Sequence, residues 1–306
     1  MEKRFAYLMI VIAAVLWGII GVFVTYLYEV GFTPVQVVTL RTGSALLFLF
    51  VYLTLIKTNR SFLKINWRDS YLFVGTGIVS FVFFNLCLFY AMQQTSISIA
   101  TILLYTAPAF VTVFSRILFK EALTPRKAIA LFMTLLGCAF VVGVLPSLDG
   151  SVSLLGIILG LGSGLFYALY SIFGKFALAK YKPFTVTFYT FVFATLAITP
   201  FSGIWTMAEQ FVEWRVLLLV IGLGFFSTML AFIFYTTGLQ YVESSRASII
   251  ATVEPVVAAI MGFLLFSDQL EMWQYLGMVF VLLAVVIVQE SRKKRSFVSE
   301  KEQRIS

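Results

Sequence analysis

Ten apolar stretches fill almost the whole chain, and only short polar turns separate them. A helix that crosses a bilayer needs about 20 mainly apolar residues at a rise of about 1.5 Å per residue, and each stretch is long enough. The pattern predicts an all-α integral membrane protein of ten transmembrane helices. We place them near residues 5–28, 34–56, 69–92, 98–118, 125–145, 152–174, 184–205, 216–240, 247–266 and 270–289.

The composition agrees with a bilayer environment and argues against catalysis. Hydrophobic residues make up 61% of the chain, whereas soluble domains contain about 45–50%. The chain has no histidine, which is the commonest metal ligand and the usual partner of a catalytic serine or cysteine. Its two cysteines, Cys87 and Cys138, both fall inside predicted spans. We therefore expect no metal, no cofactor and no enzymatic activity.

The basic residues indicate how the chain is oriented. If the amino terminus is cytoplasmic, all but two of the 22 basic residues fall on the cytoplasmic side, the exceptions being Arg215 outside and Arg41 within a span. The positive-inside rule then predicts a multi-pass protein of the cytoplasmic membrane with both termini inside. This distribution explains the net charge of +8 without a nucleic-acid partner. The basic tail Arg292–Arg295 suits lipid headgroups of the bilayer.

The chain also contains an internal duplication. Ala107-Pro108-Ala109-Phe110 aligns with Glu254-Pro255-Val256-Val257, and Phe119, Glu121 and Leu123 align with Phe266, Asp268 and Leu270. The alignment predicts two halves of five spans, near residues 1–145 and 150–306. Because five is odd, the second half is inverted in the membrane relative to the first. Inverted repeats are typical of secondary transporters, which bind substrate near the midplane where the halves meet.

The repeated segment resembles a known family. Its first copy runs Ala107-Pro108 … Leu118-Phe119-Lys120-Glu121-Ala122-Leu123-Thr124 … Leu136-Gly137, and a looser second copy begins at Glu254-Pro255. These motifs, with Trp17-Gly18 and Leu40-Arg41, resemble the EamA module of the drug/metabolite transporter superfamily. The resemblance covers essentially the whole chain. It implies a ten-helix bundle that exports or exchanges small metabolites.

Two prolines fall in the middle of spans at matching places in the two halves. A proline lacks the N–H that would bond to the carbonyl four residues earlier, so Pro108 and Pro255 each interrupt a helix. Helices interrupted at corresponding positions of two halves indicate a binding site. The alternative is a pair of packed kinks without a ligand.

Glu254 is the only acidic residue deep inside a predicted span. A charge at this depth costs at least about 2.5 kcal/mol, so the side chain should face the bundle interior or a water-filled cavity. Burial favours the neutral form of a carboxyl, which makes Glu254 a candidate proton carrier and protons a candidate partner. The alternative is a carboxyl that only hydrogen-bonds to a neighbouring helix.

Arg41 is the only basic residue deep inside a predicted span. Its guanidinium could hold an anionic group of a substrate through two parallel hydrogen bonds. Two alternatives stay open. The long side chain could reach the outer headgroups, or it could form a structural ion pair with Glu254.

Further polar or aromatic residues near the middle of the spans are candidates for the wall of a substrate pocket. Aromatic side chains with polar tips suit a site for small molecules, although each alone also fits ordinary helix packing. The candidates are Trp17, Asn85, Tyr105, Tyr167, Tyr170 and Thr252.

The function predicted from these features is secondary transport. The solutes would be small metabolites such as amino acids or drug-like compounds, bound at the midplane and exported or exchanged. The chain has no P-loop pattern, so we expect no nucleotide partner. A passive channel is the main alternative. A multispan membrane enzyme is the weaker one, because it would need paired acids or a nucleophile with a base inside the membrane.

The predicted topology can be tested with reporter fusions. A reporter joined after Ser147 should lie outside the cytoplasm, and one joined after Ser306 should lie inside it, because the loop charges favour that arrangement. Paired phosphatase and fluorescent-protein fusions measure both positions. Cytoplasmic fluorescence at Ser147 would contradict the ten-span topology.

Overall fold

The computed structural model describes residues 3–146 and 153–289. Within these residues, nine helices are long and apolar enough to cross a membrane. They are α1 (Lys3–Glu29), α2 (Pro34–Leu55), α3 (Trp67–Gln94), α4 (Ile97–Leu118), α6 (Leu154–Leu178), α7 (Pro183–Ser202), α8 (Trp214–Tyr241), α9 (Ser244–Phe266) and α10 (Met272–Gln289). Helix α5 (Pro125–Val141), with 17 residues, lies between α4 and α6 and completes the predicted ten.

The all-α fold class is thus confirmed, and the helix boundaries fall within a few residues of the sequence expectation. The basic tail and the fusion site at Ser147 lie outside the described residues.

Local sequence explains where several helices begin. The Thr33 hydroxyl accepts a hydrogen bond from the backbone N–H of Gln36, and the Gln36 side chain accepts one from the backbone N–H of Thr33. Each side chain thus satisfies a backbone N–H that has no partner within the helix. Pro34 occupies the first turn, where the N–H that proline lacks would have no helical partner. At the start of α5, Thr124 accepts a hydrogen bond from the backbone N–H of Lys127, and Pro125 occupies the first turn.

The two halves carry the same irregular elements at the same spacing. A π-helical segment occupies Gly75–Val82 in α3, and a second occupies Gly222–Leu230 in α8, 147 positions later. A 3₁₀ segment follows α2 at Lys57–Leu63, and another follows α7 at Ile204–Val212, again 147 positions later. Elements that deviate from a regular helix in the same manner extend the duplication from sequence to backbone geometry.

Helices α4 and α9 are both interrupted near their middle. The first divides into Ile97–Leu104 (α4a) and Ala107–Leu118 (α4b), and the second into Ser244–Ala251 (α9a) and Val253–Phe266 (α9b). Each interruption lies a few residues before a proline, where the missing N–H leaves a carbonyl of the preceding turn without its helical partner. The breaks bring helix ends, where backbone groups lose their regular helical partners, into the middle of the bundle.

Small residues allow close helix contacts at the periphery and in the centre. Helices α5 and α10 pack against each other where a Cβ on Gly137 would lie 2.8 Å from the carbonyl oxygen of Gly277. In α6, Gly160 and Gly164 face α4a, whereas Gly156 faces Gln94 and Thr95 at the end of α3. A Cβ on Gly164 would lie 2.8 Å from the carbonyl oxygen of Leu103. Without a hydrophobic force between helices in lipid, such close packing holds the bundle together.

The close contact between α6 and α4a predicts a stability difference between two glycine substitutions. Gly164→Ala should lower the free energy of unfolding by about 1–3 kcal/mol, because the new methyl group meets backbone that cannot yield. Gly162→Ala on the same helix is the control, since its Cβ would meet only Cys87 Sγ at 3.7 Å. Thermal unfolding of the purified protein in detergent measures both. Equal melting temperatures would contradict the tight contact.

Candidate solute-binding site

A cavity of about 390 Å³ lies in the centre of the bundle. It runs from Trp17 and Glu254 in mid-bundle to Tyr28, Met92 and Ile97, where α1 and α3 end and α4 begins. We call the end of the bundle near Tyr28, Met92 and Ile97 the open end, and the opposite end the closed end. Sites for small molecules occupy roughly 300–1,000 Å³, so the cavity has a suitable size. Its described lining comes from α1, α2, α3, α4, α6, α8 and α9, and none from α5 or α10.

Most of the candidate residues meet in this cavity. The lining includes Trp17, Arg41, Asn85, Tyr105, Tyr167 and Glu254. Tyr170 and Thr252 lie instead at a water-sized void of about 20 Å³ deeper in the bundle, which Pro108 also lines. Pro255 faces a separate cleft between the halves at the open end. The candidate residues therefore fall into two groups, those that line the cavity and those that pack beneath or beside it.

Arg41 is held inside the bundle. Its side chain is only 9% exposed, and its Nε donates to Thr228 Oγ1 of the other half at 3.4 Å. The guanidinium carbon lies 5.6 Å from the centre of the Phe81 ring, close enough for a cation–π contact. Thr228 and Phe81 belong to the two π-helical segments. The guanidinium is therefore oriented by both halves and does not reach towards headgroups.

Glu254 lies in the first turn of α9b, where the helix dipole favours a negative charge. Its Oε2 accepts a hydrogen bond from the hydroxyl of Tyr167 at 3.5 Å. Helix α1 approaches closely at this point, because a Cβ on Gly18 would lie 2.8 Å from the carbonyl oxygen of Glu254. The break in α9 and the small residue in α1 together place this carboxyl at the cavity wall.

The two deep charges share one cavity but do not bond to each other. Among the ion pairs of the described residues, none joins Arg41 to Glu254. Nearby, the indole Nε1 of Trp17 and the hydroxyl of Ser80 are buried without a hydrogen-bond partner in the described structure. Unsatisfied buried polar groups are uncommon and call for an explanation. Trp17 lines both the cavity and the small void, whereas Ser80 lines only the void, so a polar solute in the cavity could satisfy the indole and a water in the void could satisfy Ser80.

Aromatic rings form the rest of the wall. The Trp17 ring packs edge-on against Phe232 at 5.1 Å, and Tyr167 packs in the same way against Phe84 at 5.3 Å. Asn85 is buried, and its amide nitrogen donates to the Phe81 carbonyl one turn earlier in α3. The cavity thus combines an apolar, aromatic surface with a few fixed polar groups, the usual character of a small-molecule site.

Below the cavity, hydrogen-bonded side chains fill the space towards the closed end. The hydroxyls of Tyr170 and Thr236 lie 2.7 Å apart, as do those of Ser171 and Tyr235. One turn further, Lys175 Nζ of α6 donates to the carbonyl oxygens of Leu239 and Val242 at the end of α8, at 2.7 Å each. Side chains of α6 and α8 therefore close the cavity on this side.

Charged residues join the loops at the closed end. Lys127 Nζ lies 3.0 Å from Glu243 Oε2 and 3.7 Å from Glu121 Oε2, and Arg246 Nε donates to Glu243 at 2.6 Å. Burial alone would raise the pKa of Glu243, but hydrogen bonds from Lys127 and Arg246 outweigh it and hold that pKa below its usual value. The carboxylate is therefore charged at neutral pH and ties the start of α5 to the start of α9.

Sequence reasoning missed some residues that shape the site. Thr228, Phe81 and Ser80 lie in apolar runs that read as plain membrane helix. Their orientation depends on the π-helical segments, which shift side chains around the helix axis and often occur at functional sites. The matching glycines at the start of both segments, Gly75 and Gly222, were the available signal in the sequence.

Comparison with known proteins identifies the family. The EamA-like transporter family matches the chain twice, at residues 4–143 and 154–289. The chain therefore belongs to the EamA-like transporter family, as the sequence resemblance indicated, and is a membrane transporter of the drug/metabolite type.

Relatives agree with this assignment. An uncharacterized transporter of Archaeoglobus fulgidus is 30% identical over 284 residues, which are 93% of this chain and 96% of that protein. An uncharacterized inner membrane transporter of Salmonella typhimurium is 24% identical over 302 residues, covering 96% and 98%. A crystal structure with 16% identity covers 94% of this chain and 96% of its own, with a TM-score of 0.75, and shows the same fold. Family and relatives indicate a transporter rather than an enzyme.

Proposed function

We propose that this protein is a secondary transporter for small zwitterionic or amphipathic metabolites, which bind in the central cavity between Arg41 and Glu254. The observation that carries the proposal is that these opposite charges line one cavity without bonding to each other. Burying a charge is costly unless the charge is paired, and the hydrogen-bond partners of Arg41 and Glu254, Thr228 and Tyr167, are neutral. A solute that carries both an anionic and a cationic group would match them together.

The lining suggests how such a solute would sit. The guanidinium of Arg41, fixed by Thr228, offers its remaining N–H groups to a carboxylate. Glu254 would accept from an ammonium group, or would take up a proton when the solute leaves. The rings of Trp17 and Tyr167 would pack against an apolar body. Amino acids and drug-like amphiphiles have this combination of groups.

The shape of the bundle favours a carrier over a passive channel. The cavity reaches only one end, and hydrogen-bonded pairs of α6 and α8 fill the space beneath it. A solute could cross such a bundle only if the closed end opens as the open end closes. With the orientation that the loop charges favour, the closed end is cytoplasmic and the open end faces outwards. The solute would be exported or exchanged through this cavity.

Two substitutions test the roles of the deep charges. Glu254→Gln keeps the shape of the side chain but cannot titrate, so it should abolish the pH dependence of transport. Arg41→Lys keeps the charge but loses the planar fork, and should weaken apparent solute affinity by about tenfold or more. The assay is uptake by proteoliposomes, with and without a pH gradient. The labelled probes are phenylalanine, a nucleoside, a sugar and a cationic drug.

Matched controls are available at the surface. Glu271→Gln and Arg215→Lys make the same chemical changes at exposed positions, and should leave transport unchanged. The proposal fails if Glu254→Gln and Arg41→Lys, at normal protein levels, transport with unchanged pH dependence and affinity. Currents through the protein in a planar bilayer, carried by any permeant ion, would favour a channel instead.

A further inference from the structure

At the closed end, a carboxylate from the first half binds the start of α9a in the second half. The backbone N–H groups of Ser244 and Ser245 donate to Glu121 at 2.7 and 3.2 Å, and the Ser245 hydroxyl also donates to Glu121 Oε2. We call this the closed-end contact. The first N–H groups of a helix have no partner within the helix, and the helix dipole favours an anion there. The contact therefore holds the two halves together at this end.

The turn that carries Glu121 has a counterpart in the second half. Lys120 and Ser267, 147 positions apart, both have a left-handed backbone, with φ of 55° and 60°. The next residues, Glu121 and Asp268, donate their N–H groups to the carbonyl oxygens of Ser115 and Gly262, which are again 147 positions apart. Non-glycine residues seldom adopt this conformation, so its recurrence shows that the two turns are equivalent. Asp268 thus occupies the position of Glu121, at the opposite end.

The helix start that Glu121 binds also has its counterpart. Ser244 and Ser245 correspond to Ile97 and Ser98, at the start of α4a, and α4a and α9a have the same length of eight residues. In the structure, Ile97, Ser98 and Asp268 line one cleft of about 470 Å³ at the open end. Within the described residues, no side chain of the second half accepts a hydrogen bond from Ile97 or Ser98. The groups that are joined at the closed end are apart here.

We infer that Asp268 is a gating residue, whose carboxylate binds the backbone N–H groups of Ile97 and Ser98 and the Ser98 hydroxyl when the open end closes. This open-end contact would form as the closed-end contact of Glu121 breaks. Access would then alternate by exchanging one carboxylate–helix contact for its equivalent in the other half. The inference rests on the alternating access of the proposed function.

The two contacts have different surroundings, which explains why one is formed. At the closed end, Lys127 pairs with both Glu121 and Glu243. The positions that correspond to Lys127 and Glu243 at the open end are Gln274 and Ser96, which carry no charge. The closed-end contact is therefore reinforced by ion pairs that the open-end contact lacks. We expect the protein without solute to rest with the closed end joined.

Distance measurements by pulsed electron paramagnetic resonance test this inference without a known solute. In a background with Cys87→Ala and Cys138→Ala, spin labels are placed at Gln94 and Gln269, two exposed positions that flank the open-end cleft. A second pair at Ala122 and Tyr241, the equivalent exposed positions, reports on the closed end. The full-length protein is reconstituted in lipid nanodiscs for both pairs.

Glu121→Ala should create a population with a shortened distance between labels 94 and 269 and a lengthened distance between labels 122 and 241. The ratio of the two states should change by about tenfold, because charge-assisted hydrogen bonds are lost. Glu121→Gln should cause a smaller change in the same direction. Because glutamine keeps the shape of the side chain, this variant still tests the inference if Glu121→Ala fails to fold. Adding Asp268→Asn to Glu121→Ala should remove most of the new population. Adding Glu271→Gln, an exposed neighbouring carboxyl, should not.

Two results would overturn the inference. Unchanged distances in both Glu121 variants would show that the closed-end contact does not hold the resting state. A shortened population that persists in Glu121→Ala/Asp268→Asn would show that Asp268 does not join the open end. Neither result depends on solute. Normal distance changes in a protein that transports none of the probes would instead count against the proposed function.

Discussion

The structure depends on keeping two opposite charges apart inside an apolar bundle. Arg41 and Glu254 would lower their energy by pairing, yet the helices hold them at separate points of one cavity wall. Thr228 and the Phe81 ring fix the guanidinium, while the break in α9 and the Tyr167 hydroxyl fix the carboxyl. Thr228 and Phe81 lie in π-helical segments and Glu254 follows a helix break, whereas Tyr167 lies in the regular helix α6. Departures from regular backbone geometry are thus concentrated where the charges are, as expected when irregular backbone is tolerated only around a cavity.

The duplication gives the bundle two equivalent ends, which differ in a few contacts. The turn before Glu121 and the turn before Asp268 share an unusual backbone conformation and the same hydrogen bond. One carboxylate meets the start of a broken helix and the other does not. Lys127 adds ion pairs only at the closed end. Two near-equivalent arrangements, separated by a few contacts, are what a two-state transporter requires.

The membrane spans and the inward position of the two deep charges could be predicted from the sequence. Hydrophobic length fixes the spans, and a charge in hydrocarbon is costly enough that Arg41 and Glu254 had to face the interior. Orientation of single side chains was not predictable. Tyr170, like Tyr167, is an aromatic residue with a polar tip near the middle of α6. Its hydroxyl nevertheless bonds to Thr236 beneath the cavity, because its face of α6 packs on α8. The π-helical segments leave no periodicity signal. The role that we propose for Asp268 depends on a comparison of the two ends, although its alignment with Glu121 was visible in the sequence.

If the proposed transport is right, one aqueous cavity that holds both deep charges opens to one face of the membrane at a time. A single cysteine at Ala258, one turn beyond Glu254 on the cavity wall, tests it in a background without Cys87 and Cys138. Its reaction with a membrane-impermeant thiol reagent is measured from each face of oriented vesicles. We expect fast reaction from the outer face and slow reaction from the cytoplasmic face in the protein without solute. Equally fast reaction from both faces, or none from either, would contradict it.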